Sequence, residues 1–174
     1  PGVFKLNNFR YVTPGSNTID KNAIIPSTIA KELALYVVYY SPMQMAADLP
    51  KHYQNHPDAF EFIKKVPVIW EKKKIINSKI GEYVTIVRKD LNSEDWYLGS
   101  ITNENERYFN ISLDFLNENK KYLATIYSDT KNTNWKKNQM EYSIKSIEVN
   151  KNSKLDLFLA TGGGSAVQFK EIVD

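Results

Sequence analysis

Residues 30–50 read AKELALYVVYYSPMQMAADLP. Apolar side chains recur there at helical spacing on two adjoining faces. Ile29, Leu33, Tyr36, Val37 and Tyr40 make one face, and Ala30, Ala34 and Val38 make the next. Leu35 and Tyr39 fill part of the remainder, while Thr28, Lys31 and Glu32 crowd the first turn. A helix that is apolar around most of its circumference is buried on more than one side. This one is therefore expected to be wedged inside a body larger than the chain itself. Pro26-Ser27 opens it, with Ser27 the expected N-cap. Ser41-Pro42 stops it, because proline lacks an N–H and drives the residue before it out of the helical region. The expectation is a helix over Ser27–Tyr40 and a second short apolar segment at Met43–Leu49.

Moving outward, Pro1–Asn22 is rich in Asn, Gly and Pro, with a turn expected at Thr13–Asn17. Lys51–Pro57 reads as a polar connector. Asp58–Lys65 reads as a short helix with Ala59, Phe62 and Ile63 on one side. Near Val66 the period changes from helical to two. Val84 and Ile86 oppose Thr85 and Val87; Trp96 and Leu98 oppose Tyr97 and Ile101. Tyr108–Leu113, Tyr122–Tyr127, Tyr142–Val149, Leu155–Leu159 and Ala166–Ile172 follow. Turn signals rich in Asn, Asp, Ser and Gly separate them. Such spacing over Pro67–Asp174 predicts an antiparallel β-sandwich of seven or eight short strands. The first half has no strands of its own and reads as the tail of another domain. The predicted boundary lies at 66/67.

The sequence has 23 basic and 20 acidic residues, well mixed, and a net charge of +3. That balance gives no reason to expect nucleic acid or an anionic membrane as partner. There is no cysteine, so disulfides and thiolate zinc sites are excluded, though an extracytoplasmic location is not. No run approaches the roughly 18 apolar residues of a membrane-spanning helix. The chain begins with Pro1 rather than Met and is expected to be a piece of a longer protein.

Several residue groups have the composition of a site, and each has a plainer reading. His52 and His56 stand at i, i+4 beside Asp58, a spacing that suits a metal on a helix. However, Pro57 interrupts the segment and a zinc-protease glutamate is missing. Gly162–Gly164 has the composition of a phosphate loop, but a tight turn between the last two strands needs the same residues. Trp70, Trp96 and Trp135 are candidates for stacking on sugar rings, with Trp135 and Trp96 named as the candidate contacts. Trp135 lies in the polar loop KNTNWKKN, while Trp96 sits on a strand with a core position as the alternative. Glu94-Asp95, Glu104, Glu106 and Glu118 all fall in turns, whereas a glycosidase pair needs two carboxyls across a cleft, one with a raised pKa. Lys72–Lys74 reads as an exposed basic run. Asn110-Ile-Ser112 matches a glycosylation sequon but falls inside a strand.

Four longer strings carry more information. They are IPSTIAKELALYVVYYSPMQMAADLP (25–50), FEFIKKVPVIWEKKKIINSKIGEYVTIVRKDLNSEDWYLGSITNENER (60–107), LDFLNENKKYLATIYSD (113–129) and ATGGGSAVQF (160–169). Together, in this order, they resemble the C-terminal end of glycoside hydrolase family 97. Those are α-glucosidases and α-galactosidases, many of them from Bacteroides-type bacteria. The resemblance implies an N-terminal β-sandwich, a central (β/α)8 barrel and a C-terminal β-sandwich. It makes residues 1–66 the loop and last helices of the barrel and residues 67–174 the C-terminal sandwich. The family's catalytic carboxylates and calcium ligands lie upstream of Pro1. The resemblance therefore implies no catalytic, cofactor-binding or metal residue in this chain, and a periplasmic or secreted parent enzyme. Gly2–Asn8 alone is expected near the rim of the active site.

The reading that results is mainly β: a C-terminal antiparallel sandwich preceded by the last helices of a truncated barrel. The chain is expected to act as a structural and interdomain module. Its expected partners are the upstream barrel, the parent's oligosaccharide substrate and a second copy of itself. The alternative is a non-catalytic carbohydrate-binding sandwich.

Overall fold

The computed structural model describes residues 11–12, 19–20, 25–46 and 50–173. Two short strands, β1 (Tyr11–Val12) and β2 (Ile19–Asp20), pair antiparallel on either side of the predicted turn. The loop Gly2–Asn8 and the end of the Met43–Leu49 segment lie outside the described residues. Among the described residues three helices follow: α1 (Ile29–Val38), α2 (Pro50–Tyr53) and α3 (Pro57–Lys65). Eight strands complete the chain: β3 (Trp70–Lys79), β4 (Tyr83–Asp90), β5 (Trp96–Thr102), β6 (Arg107–Ser112), β7 (Lys121–Ser128), β8 (Ser143–Asn150), β9 (Lys154–Leu159) and β10 (Gly164–Ile172).

Six strands form one antiparallel sheet in the order β3-β4-β5-β10-β7-β8, and β6 pairs with β9 in a separate ribbon. The period-two pattern sorts the side chains. Trp96 and Leu98 of β5, Tyr122, Ala124 and Ile126 of β7, and Val167 and Phe169 of β10 point toward the ribbon. There they meet Ile111, Leu155, Leu157 and Leu159 in one core. Tyr97, Tyr127 and Ala166 point the other way, onto Ile29, Leu33, Ala34 and Val37 of α1 and Ala59 and Phe62 of α3. The six-stranded sheet is thus the middle of three layers. The sandwich expected from the strand pattern is present, and the helices cover its outer face.

Helix α1 is shorter than expected at both ends. Its N-cap is Thr28 rather than Ser27; the Thr28 hydroxyl accepts the Lys31 N–H at 3.2 Å. Its last helical residue is Val38. There Arg88, only 6% exposed, donates from Nε to the Val37 carbonyl at 2.6 Å and from Nη2 to the Val38 carbonyl at 3.3 Å. A guanidinium from the sheet thus satisfies carbonyls that a helix end leaves unpaired. The helix lies very close to the sheet. A Cβ on Gly99 would stand 2.6 Å from the Ala34 carbonyl oxygen and 2.9 Å from the Val37 Cβ. Only a bare backbone on β5 leaves room for α1 at that distance.

The short helix at Asp58–Lys65 is present as α3, with Pro57 at its first turn and Ala59 and Phe62 buried. The connector holding the histidines contains one helical turn, α2, with His52 and Tyr53 buried. The basic run Lys72–Lys74 is exposed as expected, and it lies on a ten-residue edge strand, β3, paired with β4 through two register shifts. Consecutive lysines hide the alternation that would have revealed the strand. None of the described helices is long and apolar enough to cross a membrane.

Candidate functional site

Of the carboxylates in the predicted turns, Glu94 and Glu118 are engaged by cations, Glu118 by Lys151 at 3.7 Å. Glu94 pairs with Lys89 at 3.0 Å and accepts from the Asn117 amide. Glu71 pairs with the same lysine at 2.6 Å, and Glu82 with Arg107 at 2.8 Å. Hydrogen bonds from Lys89 hold Glu71 and Glu94 below the ordinary glutamate range, and one from Lys79 does the same for Glu82. Such groups are poor proton donors near neutrality. Glu104, Glu106 and Glu118 are exposed.

Among the described residues, three carboxylates are displaced upward instead, each chiefly by burial: Glu32, Asp95 and Asp129. Asp129 is the most marked, pushed up to about 6. It is 3% exposed, and its role is visible in its contacts. Oδ2 accepts the Ala160 N–H at 2.9 Å and the Gly164 N–H at 2.8 Å, clasping the turn between β9 and β10. Oδ1 is buried without a hydrogen-bond partner. A Cβ on Gly163 would stand 1.9 Å from Oδ2, so the clasp requires glycine there. Beside it, Lys31 of α1 donates from Nζ to the Thr102 carbonyl at 2.9 Å. Gln139 donates from Nε2 to the Ser27 carbonyl at 3.1 Å and also to that of Ile25. The junction fixes the start of α1 to the end of the sheet.

The glycine turn decides between its two readings. Gly162 has φ +66, the left-handed region in which glycine is favoured. Its N–H goes to the Asn103 carbonyl at 2.7 Å, that of Gly163 to Ala160 at 2.9 Å, and that of Gly164 to Asp129. The N–H donors of all three glycines are already used within the fold. The turn is structural.

The remaining candidates fall apart in space. Trp96 is 5% exposed and stacks on Phe115 with ring centroids 5.2 Å apart. The expectation of a sugar contact there is corrected, because the ring lies inside the sandwich core and presents no face to solvent. Trp135 is half-buried; Gly162 packs against its ring and the Lys136 ammonium lies 4.9 Å from the ring centroid. Trp70 sits on β3, 5.6 Å from Tyr97 and 6.0 Å from the Arg88 guanidinium. The three tryptophans do not form one platform. His56 Nδ1 lies 3.3 Å from the Tyr142 hydroxyl, which donates to Asp58 at 2.7 Å. These groups tie α3 to the start of β8. No three His, Asp or Glu side chains gather as a metal site among the described residues.

The surface offers something different. At the C-terminal end of α1, Tyr39, Tyr40, Met43 and Met45 are 63–74% exposed. On the β3–β4 hairpin, Ile75 is 61% exposed, and Ile80, at its tip, is fully exposed. Tyr39, Ile75, Ile80, Tyr83 and Val84 line a groove of about 560 Å³. A cluster of large apolar side chains so exposed marks a contact surface. Neither Asp129 nor the Arg88 cap stands out in the sequence. Arg88 has one faint signal: it follows Val84 and Ile86 on the helix-facing side of β4, where a buried guanidinium requires a partner.

Comparison with known proteins places this geometry. The family model for the glycosyl-hydrolase 97 C-terminal region, described as serving oligomerisation, matches residues 69–170. A retaining alpha-galactosidase of Bacteroides thetaiotaomicron is 34% identical over 143 residues, covering 82% of this chain and 21% of that protein. A Glycoside Hydrolase Family 97 enzyme from Pseudoalteromonas sp. strain K8 has been solved in complex with panose and with acarbose. It superposes with a TM-score of 0.88 at 41% identity, covering 99% of this chain and 26% of that enzyme. A beta-arabinopyranosidase, 23% identical with a TM-score of 0.66 over 82% of this chain and 21% of that one, shares the fold. The chain thus spans about a quarter or less of the relatives that it matches. Residues 69–170 match the C-terminal region of glycoside hydrolase family 97, and to that family the chain belongs.

Proposed function

We propose that this chain is the docking and assembly module of an α-glycosidase, one that removes terminal α-linked glucose or galactose from oligosaccharides. The observation that carries the proposal is the exposed apolar groove in which Tyr39, at the end of α1, lies with Ile75 and Ile80. It adjoins a helix that is already buried on its other side against the sheet. The upstream three-quarters of the enzyme, by the share the relatives have in excess, is the partner that this surface serves. The relatives' names and ligands support the α-linked sugar. The parent's acid/base carboxylates and calcium ligands lie upstream of Pro1, and the parent is periplasmic or secreted. In this module the helix layer transmits the position of the barrel to the sandwich through α1, held at one end by Thr28 and Gln139 and at the other by Arg88.

The test is to prepare the whole enzyme with Tyr39→Asp and Ile80→Asp together. Charges there leave the sandwich core untouched but burden the interdomain contact. The expected result is two separate thermal transitions where the native enzyme shows one. A single unchanged transition would show that this surface faces solvent in the whole enzyme. The 174-residue chain alone is expected to release no nitrophenol from aryl α-glucosides or α-galactosides. Release abolished by Asp129→Asn or Glu32→Gln would place catalysis in this chain and sink the reading.

A further inference from the structure

The six-stranded sheet ends in two exposed edges that differ in how they meet solvent. On β3, Lys72, Lys73, Lys74 and Lys79 line the strand, and two register shifts break its pairing with β4. Lysines and bulges are the usual means of keeping an edge from pairing with another chain. The opposite edge, β8, has no register shift and fewer lysines. Its eight residues pair with β7 without a shift and include one lysine. Ile144 and Ile147 are 36% and 42% exposed, and Leu123 on neighbouring β7 is 41% exposed. An edge that pairs regularly and carries partly exposed isoleucines is open to pairing with another chain.

We propose that β8 is the surface through which a second copy of this chain docks, by antiparallel pairing of β8 with itself across a twofold axis. The proposal rests on the oligomerising role of this module and names its surface. An antiparallel edge is self-complementary, since each strand offers the other the same row of donors and acceptors, and a closed twofold contact follows. The apolar surface at the β3 end, beside the hairpin tip, serves the upstream part of the enzyme, so the far edge is the one left for a second copy. Charge narrows the register. A twofold normal to the sheet sets residues of equal parity opposite each other. Registers centred on Lys145 or Glu148 would place like charges face to face, which destabilises a cross-strand pair. Centring on Ile147 places that side chain against its own copy and keeps both charged residues out of such contacts.

The chain has no cysteine, so a single introduced thiol reports on one position. With Ile147→Cys, opposed Cα atoms in an antiparallel pair stand about 4.5–5.5 Å apart, within disulfide reach. Mild oxidation is expected to yield a covalent dimer at least about tenfold faster than with Ile80→Cys, at the hairpin tip of the other edge. Ile147→Lys is expected to weaken the dimer by a factor of about 100 in sedimentation, because two like charges meet at the axis. Its thermal melt should stay native, since the side chain is partly exposed. A dimer that persists with Ile147→Lys, or equal cross-linking of the two cysteine variants, overturns the β8 assignment while leaving oligomerisation intact. A whole enzyme that sediments as a monomer throughout the micromolar range overturns the oligomerising role, and this proposal with it.

Discussion

On one face of the six-stranded sheet, Trp96, Leu98, Tyr122 and Phe169 meet the β6–β9 ribbon through apolar contact. On the other face, α1 and α3 bury Leu33, Val37 and Phe62, but directional polar ties run alongside. Arg88 reaches the end of α1, Lys31 reaches Thr102, and the Tyr97 hydroxyl donates to the Lys65 carbonyl at 3.0 Å. The first face can tolerate some repacking, as apolar cores do. The second is set in both position and angle, because each tie joins one particular atom to another. This is the arrangement needed when one layer must hold a neighbouring domain in a defined pose.

The largest effect should come from removing the helix layer. Residues 67–174 expressed alone are expected to melt cooperatively, because the ribbon face stays whole. The loss should be on the order of 5 kcal/mol, since Tyr97, Tyr127 and Ala166 lose their apolar cover. Calorimetry of the two lengths side by side measures it. Equal melting temperatures would mean that the helices add nothing to the sheet.

Phe62 and Phe169 are both fully buried, one on each face. Truncating either to alanine should cost about 3–5 kcal/mol. Chemical denaturation of the two variants sharpens the comparison. If Phe62→Ala costs far less than Phe169→Ala, the helix layer is loosely held and the directional ties do not fix it. Arg88→Met comes next, at about 1.5–3 kcal/mol for lost bonds from a charged donor. It should also fray α1, which hydrogen exchange at Tyr39 and Val38 would report. Unchanged exchange there would deny Arg88 its role as a cap.

Much of the ribbon face was legible in the sequence. Alternation in YVTIVR, WYLGSI and LDLFL assigns the strands and the facing of each side chain without reference to any partner. The glycine turn was legible too, because few residues adopt positive φ readily. The helix face was only half legible. Spacing showed that α1 is buried on more than one side, but periodicity does not say against what. The ties that orient it join residues far apart in the chain, such as Arg88 to Val37 and Gln139 to Ser27, and no local pattern encodes such a pair. Strand β3 escaped notice because WEKKK is polar on both faces, as suits an edge. The junction at Asp129 escaped because one aspartate in a polar loop looks like any other until burial singles it out.

Asp129 gives the smallest effect and the finest test of how the two faces join. Burial raises its folded pKa to about 6, against 3.8 in the unfolded chain. The folded state therefore holds its proton over a range of pH in which the unfolded state has released it. Stability from this group is fully present below the unfolded value and is lost as pH rises through about 6. Asp129→Asn removes that dependence. The amide oxygen can still accept from Ala160 and Gly164, while the amide nitrogen takes the place of the unpartnered Oδ1. Relative to the native chain, the variant should gain about 1–2 kcal/mol between pH 5 and pH 7. Urea denaturation of both proteins at a series of pH values measures the difference directly. A difference that is flat over this window would mean that the carboxylate is ionised at both ends of it. The clasp on the turn would then be an ordinary charged cap that joins the two faces at no electrostatic cost.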